Sequence, residues 1–403
     1  MRLERRTELV RPSLEEGPID AVRDIIEQVR TRGDEALFEF TRKFDGVTLK
    51  QLRVEPSASH RVPDGLLEAM KAMKQRIEVF AEHQALKPWV ADVGGGSIGE
   101  AVHPLRRAGI YVPGGRAVYP SSVLMCAVPA RVAGVDEIAL CVPPGPDGRV
   151  PEATLAAAAL CGIEEIYSVG GAQAIAAMAY GTETIAKVDV IVGPGNVYVA
   201  LAKQELAGIV AIDSVAGPSE IVIVADASAE ARFIARDLVA QAEHGPNGAF
   251  ALITWDEDLL DAVERELHSI EGPDDVAVGV LVSDLEAAIE LSDNFAPEHL
   301  ELMFEGVHEA SGRFRSAGAI FIGPHSPVSL GDYLAGTNHV LPTAGSARWA
   351  SGLRTSHFQR TSATVEYDRK SLQAAAPFIE TMALVEGLPN HSRAVLARFE
   401  DDV

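Results

Sequence analysis

The sequence lacks any apolar run near the roughly 18 residues that a membrane-spanning helix needs. Its charged N-terminal stretch, MRLERRTELVRPSLEE, is followed by no apolar segment, so we expect no signal peptide. We therefore expect a cytoplasmic protein that has no membrane partner.

The sequence also has too little positive charge for a nucleic-acid-binding protein. It contains 35 Lys and Arg residues against 58 Asp and Glu residues, which gives a formal net charge of -23. A nucleic-acid binder needs a basic face that releases counterions from phosphates, and no basic run supplies one here. We expect no nucleic-acid partner, and the acidic balance bears on solubility rather than on fold.

Cysteine is scarce, and its three copies are Cys126, Cys141 and Cys161. An odd number of cysteines in apolar surroundings excludes a disulfide framework and a zinc knuckle. We expect these thiols to be buried and reduced, as free cysteines usually are. Any metal ion must therefore be held by other residues.

The remaining composition is that of a globular protein, with 403 residues of which 47% are hydrophobic. This length allows two or three domains and a large core. Apolar residues at helical spacing predict helices in residues 19–46 and 64–84. From residue 109 to 215, and again from 220 to 323, short β-branched runs alternate with helical segments, among them a helix that Ser228 is expected to cap.

This alternation predicts the α/β class, with parallel sheets that are covered by helices on both faces. We expect two Rossmann-like, incomplete, doubly wound α/β domains behind a helical N-terminal segment, with a small helical C-terminal tail. The segment VGGGSIG spells a G-x-G-x-x-G pattern at Gly94, Gly96 and Gly99. No strand precedes it and no helix follows it, so we interpret it as a flexible loop and not as a dinucleotide site.

Three glycine-rich turns follow predicted strands, in the segments YVPGG, VGGAQAI and VGPGN. They present the polar residues Tyr111, Gln173 and Asn196 at the carboxyl edge of the predicted sheet. That edge forms the ligand crevice of doubly wound sheets, which favours a nucleotide-sized ligand. The alternative is that glycine and proline simply punctuate the loops.

Gln241 and His244 lie three residues apart in the last turn of a predicted helix, in LVAQAEHG. Their side chains are therefore about 60° apart on one helical face, close enough to share a metal ion. The alternative is a C-terminal histidine that is stabilised by the helix dipole.

A glycine-rich stretch, SPVSLGDYLAGTNHVLPTAGSARWASGLRT, carries Asp332 and His339. A long loop of this kind in a compact enzyme is more often functional than structural. The segment VEGLPNHSRAVLARFE adds Glu386 and His391 near the C-terminus. These residue types suggest a metal-assisted site, although their spacing does not show that they converge.

In DNFAPEHLEL, Glu298 and His299 stand side by side after Pro297. An imidazole beside a carboxylate suits proton transfer near neutral pH. The alternative is chance, because Glu-His pairs occur in any surface helix.

Several of these segments together resemble the histidinol dehydrogenase family, both in their order along the chain and in their residues, over about residues 20 to 400. The matching segments are YVPGGRAVYPSSVLM, VGGAQAIAA, VGPGN, DSVAGPSE, QAEHG, APEHLEL, GDYLAGTNHVLPT and EGLPNH. The resemblance implies the last two steps of histidine biosynthesis, in which L-histidinol is oxidised through histidinal to L-histidine. It implies two NAD consumed in succession, one Zn2+ per subunit and a homodimer.

The resemblance also assigns roles to individual residues. It implies that the catalytic pair is Glu298 and His299 and that the zinc ligands are Gln241, His244, Asp332 and His391. It implies further substrate contacts at Ser219, His339 and Glu386. The NAD contacts would be Tyr111, Gln173 and Asn196. The zinc ligands and His299 would also contact the substrate, and His391 and Glu386 would act across the dimer interface.

The resemblance sets an expected division of the chain. Residues 1–110 with 220–353 would form a discontinuous first domain that holds the metal and catalytic residues. Residues 111–219 would form the second domain, on the NAD side, and residues 354–403 a tail used in dimerisation.

The expected chemistry uses His299 as the base in both oxidations and Glu298 to activate the water that adds to the aldehyde. Zinc would position the substrate as a template. The nearest alternative is a related zinc- and NAD-dependent dehydrogenase that acts on another polar primary alcohol. A zinc hydrolase would leave the three glycine-rich turns without a purpose, and a non-catalytic scaffold would have no use for so many polar groups.

Overall fold

The protein is represented by a computed structural model that describes residues 1–11, 17–55, 61–114, 118–215, 217–245 and 247–399. Contacts divide the chain into two compact units. The first unit comprises Met1–Gln84 and Leu105–Phe358, and the second comprises Ala85–Pro104 and Gln359–Val403.

The described residues form strands β1 to β15 and helices α1 to α14. In chain order the strands are Arg2–Arg6, Arg53–Val54, Trp89–Asp92, Gly96–Pro104, Arg107–Tyr111, Glu137–Val142, Glu165–Ser168, Val190–Val192, Ala211–Ile212, Glu220–Ala225, Ala249–Thr254, Val276–Leu281, His299–Met303, Ala319–Ile322 and Gln359–Tyr367. The helices are Ile19–Arg32, Asp34–Phe40, Leu66–Gln84, Pro120–Ala133, Glu152–Leu160, Gly171–Tyr180, Val197–Leu206, Ala231–Ala242, Glu257–Ser269, Leu285–Phe295, Val307–Ala310, Val328–Tyr333, Arg369–Val385 and Pro389–Leu396.

The first sheet has the strand order β1-β12-β11-β10-β13-β14, and all of its neighbouring strands are parallel. Helices α8 and α9 supply apolar side chains to the core on one face, and α10 and α11 supply them on the other. The chain runs from β10 outward to β11 and β12 on one side and to β13 and β14 on the other. The topological switch point of this sheet therefore lies between β10 and β13.

The second sheet has the order β2-β7-β6-β5-β8-β9 and is parallel apart from the short antiparallel β2. Helices α1, α2, α6 and α7 cover one face, and α3, α4 and α5 cover the other. Parallel strands that are buried on both faces read as continuous apolar runs, as the last five residues of β6 show.

The expected α/β class with two Rossmann-like, doubly wound sheets is confirmed. Within the first unit, α1 and α2 pack on the second sheet, to which β5 at Arg107–Tyr111 also belongs. The three-part domain division stays a prediction, since the structure describes two units and not parts that fold separately. The pattern also left β13 unrecognised, because its sequence HLELM places His299 and Glu301 among apolar residues although the whole strand is buried.

The second unit contains an antiparallel sheet with the order β15-β4-β3, followed by α13 and α14. The flexible loop expected in VGGGSIG is therefore wrong: residues from Gly96 onward form β4. A Cβ on Gly99 would lie 2.3 Å from the carbonyl oxygen of Trp89, so glycine here permits close strand pairing. The expected C-terminal tail contains the helices α13 and α14, and also the nine-residue strand β15.

Two smaller expectations have opposite outcomes. Ser228 does not cap α8, which begins at Ala231; its backbone N–H and hydroxyl instead donate to a carboxylate oxygen of Asp226. The three cysteines are free and buried, as expected. Burial raises the pKa of both the Cys141 and Cys161 thiols to about 12, which keeps them unreactive. Among the helices of the described ranges, none is long and apolar enough to cross a bilayer.

Candidate active site

The predicted catalytic pair lies at the amino end of the first sheet, at its switch point. His299 is the first residue of β13 and is paired with Ile221 of the neighbouring β10, whose first residue is Glu220. Ligands of doubly wound sheets usually bind at the carboxyl ends of the strands, so this location differs from the general rule. Helices that alternate with parallel strands run in the opposite direction, and the end of α8 therefore reaches the same amino edge.

The turn into β13 has an unusual backbone. Helix α10 ends at Phe295, and the following Ala296 has φ 53° and ψ 70°, a left-handed conformation that alanine rarely adopts. Pro297 follows, and its carbonyl oxygen accepts a hydrogen bond from the Gly318 N–H at 2.9 Å. This short segment delivers Glu298 and His299 to the sheet edge in one fixed direction.

Glu220 holds both members of the pair through its backbone. Its N–H donates to Glu298 Oε2 at 2.9 Å, and its carbonyl oxygen lies 2.9 Å from His299 Nδ1. Glu298 Oε2 and His299 Nδ1 are themselves 3.6 Å apart. One peptide segment of β10 therefore sets the position of both side chains.

The environment of Glu298 makes its carboxyl group a base of raised strength. Burial raises the pKa of Glu298 well above its usual value, and the charges of Glu220 and Asp332 raise it further. The hydrogen bond from the Glu220 N–H opposes the shift without cancelling it. A carboxylate with a raised pKa accepts a proton more readily than an exposed one.

Burial lowers the pKa of His299 to about 3, and the nearby His244 and His339 add to this shift. The imidazole is therefore neutral at physiological pH. Nδ1 faces the Glu220 carbonyl, which only accepts hydrogen bonds, so we assign the ring proton to Nδ1. The lone pair then lies on Nε2, where it can accept a proton from a substrate.

Gln241 and His244 both come from the end of α8. Gln241 is buried, and its Nε2 lies 3.3 Å from His299 Nδ1. With the ring proton on Nδ1 both nitrogens are donors, so this is a contact and not a hydrogen bond. His244 Nδ1 lies 3.3 Å from the Gln241 backbone carbonyl oxygen, so its Nε2 is the nitrogen that remains for a ligand. The i, i+3 spacing thus brings a carboxamide and an imidazole to the same edge of the sheet.

Asp332 and His339 approach this group from α12 and the loop after it. Burial raises the pKa of Asp332 to about 6, although the nearby His244 acts to lower it. Burial lowers the pKa of His339 to about 4. His339 Nδ1 lies 3.2 Å from the Asp332 carbonyl oxygen, and its Nε2 lies 3.2 Å from the Ser122 hydroxyl on α4. His339 therefore connects the two sheets of the first unit.

A second pair of carboxyl groups lies beside this site, on β13 and α8. Glu301 accepts a hydrogen bond from the Val328 N–H at 2.7 Å, but its other oxygen is buried without a donor. Asp237 faces it, and burial raises the pKa of Asp237 to about 6 and that of Glu301 well above its usual value. Two ionised carboxylates are acceptors only, so their proximity favours the protonated form of one of them.

The remaining predicted substrate contacts are less tightly placed. Ser219 directly precedes β10 and is partly buried. Glu386 and His391 lie in the second unit, at the end of α13 and in α14, and are exposed in this chain. The described residues of the first unit thus bring together all the other predicted metal, catalytic and substrate residues, but not these two.

The donors present suit zinc in type but are too few in number. Gln241, His244 and Asp332 offer an oxygen, a nitrogen and a carboxylate, whereas structural and catalytic zinc sites generally have four ligands. Within the described parts of the chain, no group of three or more His, Cys, Asp and Glu side chains could hold a metal ion alone. A zinc ion here requires a further ligand.

The predicted NAD contacts lie at the carboxyl edge of the second sheet, after β5, β7 and β8. Tyr111 and Gln173 are buried, and the Tyr111 hydroxyl accepts a hydrogen bond from the Gly171 N–H at 3.1 Å. The Asn196 side chain caps α7 by accepting from the N–H groups of residues 198 and 199. The Tyr111 and Asn196 side chains therefore already support the starts of α6 and α7 respectively.

A cavity of about 530 Å³ lies along the edge strand β14 and is lined in part by Leu330, Asn338 and Arg354. Neither Glu298 nor His299 lines it, so the cavity does not mark the place of the proton-transfer chemistry. It does place Arg354, for which the sequence offered no role.

Sequence reasoning missed Glu220 and Ser122 as contributors to this site. Both lie in segments that were singled out, DSVAGPSE and PSSVLM, yet Glu220 acts through its backbone and Ser122 through a contact with His339. A contact made by backbone atoms cannot be predicted from the types of the residues, because every residue has the same backbone groups. The carboxylate of Glu220 was the available signal, since a charged residue at the start of an apolar strand is uncommon.

The chain matches known proteins over nearly its whole length. The family model described as histidinol dehydrogenase matches residues 11–399. A histidinol dehydrogenase of Synechococcus sp. is 49% identical, with 94% of this chain and 91% of that protein covered. One from Moorella thermoacetica is 46% identical, with 96% and 95% covered. The crystal structure of histidinol dehydrogenase from Elizabethkingia anophelis superposes with a TM-score of 0.93 at 36% identity, covering 100% of this chain and 98% of that one. The chain belongs to the histidinol dehydrogenase family of oxidoreductases.

Proposed function

We propose that this protein oxidises L-histidinol to L-histidine through histidinal, in two successive two-electron steps that use two NAD. The observation that carries the proposal is the buried Glu298-His299 pair, which one peptide segment at Glu220 holds at the switch point of the first sheet. The pair supplies the base for an alcohol and the base for a water molecule within one site.

In the first oxidation, His299 Nε2 takes the proton of the substrate hydroxyl group. Its ring is neutral and its Nδ1–H is fixed by the Glu220 carbonyl, so the lone pair on Nε2 remains to accept that proton. General-base catalysis of this kind contributes about 10²- to 10⁴-fold to a rate. The alcohol carbon loses a hydride at the same time and becomes the aldehyde carbon of histidinal.

In the second oxidation, water first adds to the aldehyde, because an aldehyde cannot release a hydride as it stands. Glu298 takes a proton from that water, and its raised pKa makes its carboxylate effective for this step. The protonated His299 returns its proton to the former carbonyl oxygen, which completes the hydrate and makes the imidazole neutral again. His299 then takes a hydroxyl proton of the hydrate while the second hydride leaves. The product is the carboxylate of L-histidine, and the two steps together remove four electrons.

Two bound groups complete the reaction. NAD, bound near Tyr111, Gln173 and Asn196, would supply the hydride acceptor, and zinc would supply a template that orients the substrate. We assign the zinc ligands to Gln241 through its carboxamide oxygen, His244 through Nε2, Asp332, and His391 of a second copy of the chain. The contact of His244 Nδ1 with the Gln241 backbone carbonyl oxygen supports the assignment of its Nε2.

Substrate and NAD are proposed to meet between the two sheets of the first unit. Ser219, His339 and the second copy's Glu386 would contact histidinol, and the zinc ligands and His299 would contact it as well. Tyr111, Gln173 and Asn196 would contact NAD at the carboxyl edge of the second sheet. The link from His339 to Ser122 on α4 supports this arrangement, because it joins the substrate side to the NAD side.

The test is NADH formation from L-histidinol, measured by absorbance before and after chelation and after zinc is added back. We expect two NADH for each histidinol, loss of activity on chelation, and recovery with zinc. Turnover of another polar primary alcohol but not of histidinol would contradict the substrate and require new roles for His339, Glu386 and His391. Hydrolysis without NADH formation would contradict the reaction itself.

A further inference from the structure

Arg11, in the segment before α1, contacts three parts of the candidate active site. Its Nε donates to Glu220 Oε1 at 2.6 Å, and its Nη2 lies 3.2 Å from Glu220 Oε2. Nη2 also donates to the carbonyl oxygens of Phe295 and, at 3.1 Å, of Ala296. The guanidinium carbon lies 3.9 Å from the centre of the Phe295 ring.

These contacts are those that a guanidinium group makes and an ammonium group cannot. The planar fork binds the Glu220 carboxylate with two nitrogens, while the same plane stacks on an aromatic ring. Arg11 is partly exposed, at 27% of its side chain, whereas the Glu220 side chain is only 5% exposed. Arg11 thus neutralises a buried carboxylate from the surface side.

The two carbonyl groups that Arg11 binds belong to the strained turn before the catalytic pair. Ala296 is left-handed, a conformation that persists only where the surroundings enforce it. Arg11 connects this turn to Glu220 through hydrogen bonds. The segment around Ala344 also contacts Glu220, because the Ala344 N–H donates to Glu220 Oε1 at 3.1 Å. Glu220 in turn holds Glu298 and His299 through its backbone.

We propose that Arg11 is a positioning residue for the reaction: it fixes the turn at Phe295 and Ala296 against Glu220 and thereby sets the placement of the Glu298-His299 pair. This inference rests on the proposed function of that pair. A displacement of about 1 Å in a catalytic group costs about 100-fold in rate, so the loss of Arg11 should act on kcat. Arg11 does not reach the substrate contacts at Ser219 or His339 through any of these bonds, so the KM for histidinol should change little.

The experiment compares R11M and R11K with wild-type enzyme and with R6M as the matched control. Arg6 is the last residue of the nearby strand β1, and its guanidinium group donates to the exposed Glu4 carboxylate at 3.2 and 3.1 Å. We expect R11M and R11K to lower kcat by about 10- to 100-fold, with less than about threefold change in KM and with unchanged zinc content. R6M should keep the wild-type kcat and unfolding temperature.

The double variant R11M/E220Q separates positioning from simple charge neutralisation. Glutamine at position 220 removes the unpaired carboxylate that R11M leaves, so the unfolding temperature should rise again from its value in R11M. The turn at Ala296 still lacks the hydrogen bonds from the Arg11 guanidinium group, so kcat should stay low. Recovery of kcat together with the unfolding temperature would overturn the inference, as would a wild-type kcat in R11M.

A spectroscopic measurement keeps this test independent of the proposed reaction. The imidazole ¹⁵N resonances of His299, assigned by their loss in H299N, report on the hydrogen bond from Nδ1 to the Glu220 carbonyl. We expect them to move in R11M and to stay in place in R6M; unchanged resonances in R11M would contradict the positioning role. A fully active H299N enzyme would instead contradict the proposed function, and the resonances would still decide the role of Arg11.

Discussion

At the scale of single residues, the two members of the proposed catalytic pair have opposite pKa shifts with the same main cause. Burial raises the pKa of Glu298 and lowers that of His299, because it disfavours the charged form of each. The result is a neutral imidazole beside a carboxyl group of raised basicity. Perturbed groups of this kind cluster at functional sites, and here both are oriented by one peptide segment.

The variant E298Q tests the role of the carboxylate in the second oxidation. We expect E298Q to keep the alcohol oxidation but to slow the oxidation of histidinal by about 10²- to 10⁴-fold, because no base activates the water. Two quantities are measured: the yield of NADH per histidinol, and the rate of NADH formation from added histidinal. E301Q is the matched control, since Glu301 is a buried carboxyl group only three residues along the chain, in β13, whose pKa is also raised by burial. Oxidation of histidinal by E298Q at the wild-type rate would contradict this role.

At the scale of elements, the loop between β8 and α7 is held by a buried ion pair. Lys203 Nζ lies 2.6 Å from Asp213 Oδ1 and 2.5 Å from the Gly193 carbonyl oxygen, and the Gly193 N–H donates to Asp213 Oδ2 at 2.7 Å. Gly193 has φ 112°, and a Cβ there would lie 2.1 Å from the Tyr111 carbonyl oxygen. The glycine-rich turn is therefore fixed by its packing and by this pair.

We expect K203M to destabilise the protein by about 3–5 kcal/mol, because it leaves the Asp213 carboxylate buried and unpaired. The measurement is the free energy of unfolding in denaturant. The control is R23M, which removes the more exposed ion pair between Arg23 on α1 and Glu205 on α7 and should cost less than about 1 kcal/mol. Equal losses in the two variants would show that burial of the Lys203 pair has no special effect.

At the scale of the whole molecule, the proposed site is incomplete within the first unit. Gln241, His244 and Asp332 provide three donors, and Glu386 and His391 are exposed in the second unit. The second unit also exposes large apolar side chains on α13, including Phe378, Leu384 and Val385 at 75%, 79% and 80%. An apolar surface of this kind is typical of a protein–protein interface, which supports the proposed homodimer.

Mixing two inactive variants tests whether His391 acts across the dimer. If it does, a mixed dimer of H299N and H391N contains one site with both changes and one unaltered site, so activity should recover to about a quarter of wild type after subunit exchange. If His391 acts within its own subunit, every site keeps one change and no activity returns. Mixing H299N with E298Q is the control, since both changes lie in one unit and no recovery is expected in either case.

The sequence by itself determined the residue types, most of the strands and helices, and the family, because periodicity and local motifs are written in consecutive residues. It did not reveal β13, whose polar residues are buried, or the antiparallel sheet of the second unit. Only the tertiary structure placed the proposed catalytic pair at the amino edge of its sheet, beside the end of α8. Only it showed that the Glu220 backbone contacts His299, 79 residues away, and that Arg11 contacts Phe295, 284 residues away. Contacts over such distances depend on how the chain packs, and backbone groups carry no signature in the sequence.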